Sequence, residues 1–401
     1  MPFARTAPLV SELERALPER PFSVSLWDGT QLRSTNGGGP TFYVRSPAAL
    51  AHALRAPGQL GMGRAYVSGE LEVDDLDAVL ETLDSWQPPH LDRAARARLV
   101  VAAARACGPR LPPRAPAAEL RLRGRRHSRA RDARAVRHHY DLPAEFFELF
   151  LGPSMTYSCA LFSRGASNLE EAQEQKLELV CTKLRLQPGE RVLDIGCGWG
   201  SFAIHAATNH GVHVTGITLS EPQAVRARQR AAEEGVADRV EIRVMDYREL
   251  AGERFDAIAS IGMVEHVGAA NIDAYAGTLA RLLEPGGRLL NHGIARVRHG
   301  GAEAGPFSER FVFPDAAPLH LSRILFALEA AGFATDHVEG FAPDYARTLR
   351  EWQRRLEANI DEARRLAGAE RVRVWQVYLR AARRGFETGF TSVYQVRARK
   401  S

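Results

Sequence analysis

Cysteine is scarce in this chain, long apolar runs are absent and no internal repeat is visible. The four cysteines, at 107, 159, 181 and 197, show no framework spacing, which excludes a disulfide-stapled scaffold and agrees with a reducing environment. No Cys/His cluster has zinc spacing, and the neighbours His138 and His139 point to different sides of the chain, so no metal is expected. No apolar run reaches the roughly 18 residues of a membrane span, and the N-terminus lacks the apolar core of a secretion signal. A cytoplasmic location is therefore expected. What remains is ordinary for a soluble chain: 401 residues, 45% hydrophobic and 25% charged, enough for two domains.

The most informative stretch is Val192-Leu193-Asp194-Ile195-Gly196-Cys197-Gly198-Trp199-Gly200. An apolar strand runs into Asp-x-Gly-x-Gly-x-Gly, and helix-compatible sequence follows over 201–207. Glycines at alternate positions let backbone pass close under a ligand and turn sharply into a helix. The spacing is neither that of the dinucleotide loop nor that of the phosphate loop. A carboxylate two residues before the first glycine suits a cationic ligand better than a pyrophosphate, and the ammonium of S-adenosylmethionine (SAM) fits.

Short apolar runs at 212–217, 240–244, 255–261 and 288–291 read as strands two to five, separated by helical patterns. This alternation marks a doubly wound, mostly parallel α/β sheet; strands at 335–338 and 391–396 bring it to seven, the last antiparallel. Ligands in such sheets lie at the carboxyl ends of the strands, and those ends are polar here. Strand two runs into Thr218-Leu219-Ser220-Glu221-Pro222-Gln223, strand three into Asp246-Tyr247-Arg248, and strand four ends Ile261-Gly262-Met263-Val264-Glu265-His266. Asp246 and Tyr247 are placed to meet an adenine amino group and face. Thr218 stands where a nucleotide-binding fold usually offers an acid to the ribose hydroxyls, and Gln223 is the candidate substitute.

Residues 1–90 mix strand signals (22–26, 41–44) with helical ones (46–54, 76–83), the pattern of a smaller α+β domain for lipid or partner binding. An Ala/Arg/Pro-rich linker is expected over 91–135. Within and just beyond it, Arg121 to Arg137 carries eight arginines against one acid, Asp132. Two readings stand: a solvated linker or helix face, or a surface patch for anionic lipid headgroups, worth about 1 kcal/mol per basic residue near a membrane.

The combination of Met155-Thr156-Tyr157-Ser158-Cys159, VLDIGCGWG, GITLSEPQ, DYREL, SIGMVEHVG and NHGI resembles the cyclopropane-fatty-acyl-phospholipid synthase and mycolic acid cyclopropane synthase family of SAM-dependent methyltransferases. The likeness covers about 136–401. It implies a Rossmann-like class I methyltransferase domain there, with a lid insertion at about 295–318, and methyl transfer from SAM to the cis double bond of an oleoyl-type phospholipid chain. It also implies a bicarbonate ion held by Glu265, His292, Tyr345 and the backbone of Cys159 and Ile294. The cofactor positions it implies are Tyr157, Ser158, Asp194, Gly196, Gly198, Gly200, Thr218, Leu219, Gln223, Asp246, Tyr247, Ile261 and His266, with the His-Tyr-Asp segment at 139–141 bordering them.

The chemistry asks for such an arrangement. An alkene is a feeble nucleophile and its methylation leaves a carbocation in the chain, so the site must exclude water, stabilise positive charge and remove a proton. Proton loss from the new methyl as a ring closes gives a cyclopropane; a prior hydride shift gives an exocyclic methylene. Each residue also has an ordinary reading: Glu265 as a helix cap, His292 as a satisfied core histidine, Tyr345 as packing, Cys159 as a small buried hydrophobe.

Departures from the common family pattern bear on product. Asn291 and Gly293 flank His292 in place of leucine and threonine, Val264 replaces a frequent phenylalanine, and Phe313-Pro314-Asp315-Ala316 stands where Phe-Pro-Gly-Gly is common. These resemble the branch making mid-chain methylene fatty acids, precursors of tuberculostearic acid, whose product a reductase partner would take up. A homo-oligomer that visits the inner membrane surface peripherally is expected. The net charge of +5 also suits a nucleic-acid methyltransferase, but the Asn/Asp-Pro-Pro-aromatic segment that grips a base amine after strand four is missing and no nucleic-acid module is seen. A small-molecule methyltransferase is the other alternative. Phe307, Phe311 and Phe313 alternate with polar residues, as in a half-buried strand or a ligand wall, and Tyr345, Leu349, Trp352, Leu356 and Ile360 have helical spacing.

Overall fold

Alternating apolar runs and helices become two separate sheets in the computed structural model, which describes residues 5–109, 113–140, 142–298 and 305–401. The chain divides into two compact units. The first comprises Met1–Leu120, Gly305–Phe311 and Gly368–Ala381, and the second Arg121–Ala304, Val312–Ala367 and Ala382–Ser401.

The first unit holds a four-stranded sheet in the order Gln31–Leu32, Ser23–Leu26, Thr41–Val44, Leu71–Val73. Val10, Leu26, Leu32, Val44, Ala49, Ala65 and Leu71 form its core. The stretch expected to start a linker at 91 instead opens with a helix, Arg93–Cys107, capped by the Asp92 carboxylate on the Ala95 amide. Alanine is the best helix former, and Ala102 and Ala106 are small enough to seat this helix against Leu9. Arg64 and Glu119 form a buried two-point ion pair at 2.6 and 2.7 Å, which ties residue 119 into this unit.

In the second unit we number the strands β1 (Arg191–Ile195), β2 (His213–Thr218), β3 (Val240–Val244), β4 (Phe255–Ile261), β5 (Leu283–Arg296), β6 (Phe333–Gly340) and β7 (Thr391–Lys400). Their order is β6-β7-β5-β4-β1-β2-β3, and β7 alone runs antiparallel to its neighbours. The expected Rossmann-like class I architecture is therefore present. Helices cover both faces, so strand interiors such as Val192 and Leu193 are fully buried on opposite sides. Helices Leu169–Leu184, Ser201–His210 and Glu221–Glu233 pack on one side, and Ile272–Leu282 with Leu321–Ala330 on the other. The order reverses beside β1, with β2 on one flank and β4 on the other; the crevice at that reversal is where such sheets bind ligands.

One local expectation fails. Pro306–Phe311 is a helix, not a strand, because Phe307 and Phe311 are four apart and stack on one helical face, centroids 4.9 Å apart. Of the expected lid at 295–318, residues 299–304 lie outside the described residues, 305–311 belong to the first unit and 312–318 to the second.

Candidate active site

At the end of β1 the chain turns under the crevice. Gly196 has φ +78°, and a Cβ there would lie 2.8 Å from Met263 Cγ, so only glycine admits the turn against the β4 loop. Gly198 and Gly200 also lie at positive φ. The Asp194 carboxylate is buried and its Oδ2 has no hydrogen-bond partner. Burial pushes its pKa up to about 7, with Lys176 and the Ala203 backbone pulling the other way. Beyond β2, the Thr218 hydroxyl donates to Gln223 Oε1 at 2.8 Å, and Ser220 caps the helix that presents Gln223. The Gln223 amide nitrogen thereby faces the glycine loop, 4.0 Å from where a Gly198 Cβ would stand, beside the half-buried Leu219. After β3, Asp246 accepts from the Arg248 backbone and guanidinium at 2.9, 2.8 and 2.5 Å. Burial raises its pKa, but these bonds outweigh that and hold it below the usual value. Tyr247 packs edge-on against Tyr275, 5.6 Å between centroids.

The end of β4 lies beside β5, Ile261 opposite His292. Glu265 follows on a short helix, Val264–Val267. Its carboxylate is buried, Oε2 has no hydrogen-bond partner, and burial pushes its pKa up to about 7 against backbone hydrogen bonds at Glu265 and Ile294. His292 is buried as well, with Nδ1 3.1 Å from the Gln395 amide and Nε2 without a partner. Burial, then Lys176 and Lys183, push its pKa down to about 3. A capping or core role would leave these atoms satisfied; leaving buried polar atoms unpaired costs about 1–3 kcal/mol each, the mark of a site built to receive something polar.

The loop carrying Cys159 is held by the helix carrying Tyr345. Asp344 accepts from the backbone of Phe162 and Ser163 at 2.6 and 2.7 Å, and the Ala160 amide donates to Thr348 at 3.0 Å. Burial pushes the Cys159 thiol well up, followed by Asp344, so it is no nucleophile. Tyr345 is buried on Phe386, centroids 4.6 Å apart, and edge-on to Trp352 at 6.1 Å. A row of rings joins the two sides: Tyr157 stacks on His139 at 5.8 Å and donates to or accepts from its Nε2 at 3.2 Å, His139 lies 4.0 Å from Phe313, and Phe313 meets His266 at 5.3 Å. Asp141, the last member of the His-Tyr-Asp segment, lies outside the described residues.

The profile of mycolic acid cyclopropane synthetases matches residues 127–396. The chain belongs to that family. It is 38% identical to a probable fatty acid methyltransferase of Mycobacterium tuberculosis, over 98% of this chain and 94% of the relative, and 33% identical to the cyclopropane-fatty-acyl-phospholipid synthase of Escherichia coli, over 90% and 88%. Mycolic acid cyclopropane synthase CmaA1, solved with S-adenosylhomocysteine (SAH) and CTAB bound, superposes with a TM-score of 0.63 at 33% identity, covering 67% of this chain and 98% of that one. The protein is thus a SAM-dependent methyltransferase of the cyclopropane synthase family, as its motifs indicated.

Several residues of this cyclopropane synthase homologue escaped the sequence reading. Gln173 donates to the carbonyls of Thr156 and Ser158 at 3.3 and 3.0 Å, and the Lys176 ammonium meets the Ser158 hydroxyl at 3.0 Å. Burial lowers the Lys176 pKa to about 8, opposed by Cys159, Asp194 and Cys181. The signal was present: Gln173, Lys176 and Lys183 sit on the same stripe of helix Leu169–Leu184 as the buried Leu177, Val180 and Leu184, and polar residues on a core-facing stripe ask for a reason. Asp315 also has one. It adopts φ +65°, the region that favours the glycine common there, and is buried against Arg131 at 2.5 and 2.8 Å and Arg126 at 3.3 Å. On the outer side, Cys181, His205 and His210 bring donor atoms within 4.8 Å of one another, a grouping from two helices that spacing does not show. Both imidazole Nε2 atoms lie against Glu178, at 3.2 and 3.0 Å.

Gly293 lets the Glu265 helix lie close on β5: a Cβ there would fall 2.2 Å from Val264 Cγ1 and 3.1 Å from Glu265 Oε2. Gly293→Ala is expected to destabilise by about 1–3 kcal/mol and to lower turnover more than SAH affinity, measured by urea unfolding and single-turnover assays. Unchanged stability would show that the helix has room to move.

Proposed function

We propose that this enzyme transfers the methyl of SAM to a cis double bond in the acyl chain of a membrane phospholipid and then removes a proton from the transferred carbon. The carrying observation is the pair of buried, unsatisfied atoms, Glu265 Oε2 on the short helix after β4 and His292 Nε2 on β5 opposite the end of β4. Relatives named for fatty acid methylation and for phospholipid cyclopropanation support the substrate class.

SAM, when bound, supplies an electrophilic methyl group. For its charged amino-acid end, Asp194 faces the ammonium, and Lys176 with Ser158 suits the carboxylate. Gln223 and Thr218 meet the ribose, and Asp246, oriented by Arg248, meets the adenine amino group with Tyr247, Leu219 and Ile261 alongside. Tyr157, His139, Phe313 and Trp352 turn aromatic faces toward developing positive charge and keep water out. Bicarbonate suits Glu265, His292, Tyr345 and the backbone of Cys159 and Ile294, and would supply a small base. Glu265, held near 7 by burial, can itself hold or release a proton at working pH. Ring closure gives a cyclopropane and a hydride shift a 10-methylene chain, the latter feeding a reductase partner.

Among the described residues no helix is long and apolar enough to cross a membrane. Access to lipid is assigned to the arginine stretch, with the first unit as the accessory lipid- or partner-binding part, on the cytoplasmic face and in a homo-oligomer. Arg126 and Arg131 are engaged with Asp315, so the contact falls to exposed residues such as Arg123, Arg125 and Arg137. Changing these three to Gln is expected to weaken binding to anionic vesicles by about 1 kcal/mol each at low salt, the difference shrinking as salt rises. Unchanged vesicle binding would return the stretch to a solvated linker.

The function is tested by expressing the chain in an oleate-containing host fed methyl-labelled methionine and analysing lipids by gas chromatography and mass spectrometry. A labelled gain of one CH₂ in acyl chains is expected, and retention time separates ring from methylene. No labelled chain, with SAM binding intact, would move the substrate to a small molecule or nucleic acid.

A further inference from the structure

Glu339 on β6, Gln395 on β7 and His292 on β5 stand directly opposite one another across three adjacent strands. Over this row lies Lys183, from helix Leu169–Leu184, its side chain only 7% exposed. Lys183 Nζ is 2.6 Å from Glu339 Oε2 and 2.7 Å from Gln395 Oε1. Glu339 is anchored in turn by Arg164 at 3.3 Å and His337 at 3.4 Å.

We propose that Lys183, Gln395 and Glu339 are positioning residues that lock His292 in its Nε2–H tautomer, so that His292 acts as a hydrogen-bond donor to the reacting site and not as its base. An ammonium can only donate, so the Gln395 oxygen must face Lys183. The amide NH₂ then faces His292 and donates to Nδ1. With Nδ1 accepting, the proton of the neutral ring sits on Nε2, the atom that has no partner. Burial, and after it the nearby Lys176 and Lys183 charges, disfavour a second proton on the ring. A ring whose Nδ1 is occupied and whose Nε2 carries hydrogen has no lone pair for an incoming proton, so proton removal falls to the Glu265 side of the site. This inference rests on the assignment of His292 to the reacting site.

The test is nitrogen NMR on the full-length, cofactor-free chain labelled with ¹⁵N-histidine. The His292 signals among the 13 histidines are assigned by difference from His292→Gln. His292 is expected to show an unprotonated Nδ1 and a protonated Nε2 without titrating from about pH 5.5 to 8.5, a span that covers an ordinary histidine. A protonated Nδ1, or titration in that range, overturns the relay, and this measurement needs no relay variant to fold. In Gln395→Glu the carboxylate accepts from both Lys183 and His292, so the tautomer is expected to invert. Turnover should then fall roughly 10- to 100-fold, as for lost partners of working imidazoles, with SAH affinity within a few-fold. An unchanged tautomer in the folded variant overturns the relay. An inverted tautomer with undiminished turnover confirms the relay and removes His292 from the reacting site, which overturns the functional reading instead.

Discussion

Glu265→Gln lowers turnover by about 10²- to 10³-fold while SAH affinity stays within a few-fold of wild type. The carboxylate is buried with one oxygen unpaired, and its pKa is pushed up to about 7 by that burial. It therefore exchanges its proton near neutrality, which an amide of the same shape cannot do. The sign follows: if the ionised form is needed, wild-type kcat/KM rises as pH rises through about 7, and the Gln variant loses that limb. Parallel loss of turnover and SAH affinity would instead place Glu265 in the cofactor site and sink its role in proton removal.

Asp194→Asn is expected to weaken SAM binding by about 2–5 kcal/mol, the range for removing one partner of a buried charge pair, or ~30-fold and more in Kd. Without cofactor, burial holds the Asp194 carboxyl at about 7. A cationic ligand favours its ionised form, so binding below that pH must expel a proton. SAM affinity is then expected to fall as pH drops below about 7, by at most tenfold per pH unit, with proton release visible when calorimetry is repeated in buffers of different ionisation enthalpy. The Asn variant should bind weakly at every pH and release no such proton. A wild-type affinity flat from pH 6 to 8, about one unit either side of that value, would contradict the pairing.

The methyltransferase sheet was legible because its strands are buried on both faces and read as apolar runs between helices; β3 and β4 begin and end where the hydrophobic pattern does. The glycine loop was legible because a tight turn beneath a ligand leaves a local trace. What escaped was non-local. The first unit takes in Gly305–Phe311 and Gly368–Ala381 from far along the chain, and no local pattern marks that return. Phe307 and Phe311 satisfy both period two and helical spacing, and the stacking that decides between them is tertiary. Gln395 carries no local mark of its role, and only the pairing of β7 with β5 puts it against His292. The arginine stretch was read by its charge, whereas two of its members are held by an aspartate nearly two hundred positions away.

The proposed reaction requires that the transferred carbon itself lose a proton in the Glu265 and His292 site. It is tested most directly with purified enzyme, SAM carrying a trideuterated methyl group, and vesicles of an oleoyl phospholipid, followed by mass spectrometry of the released fatty acids. Ring and methylene products alike should retain two of the three deuterons. Retention of all three, a methyl branch whose proton left from the chain, would contradict the account.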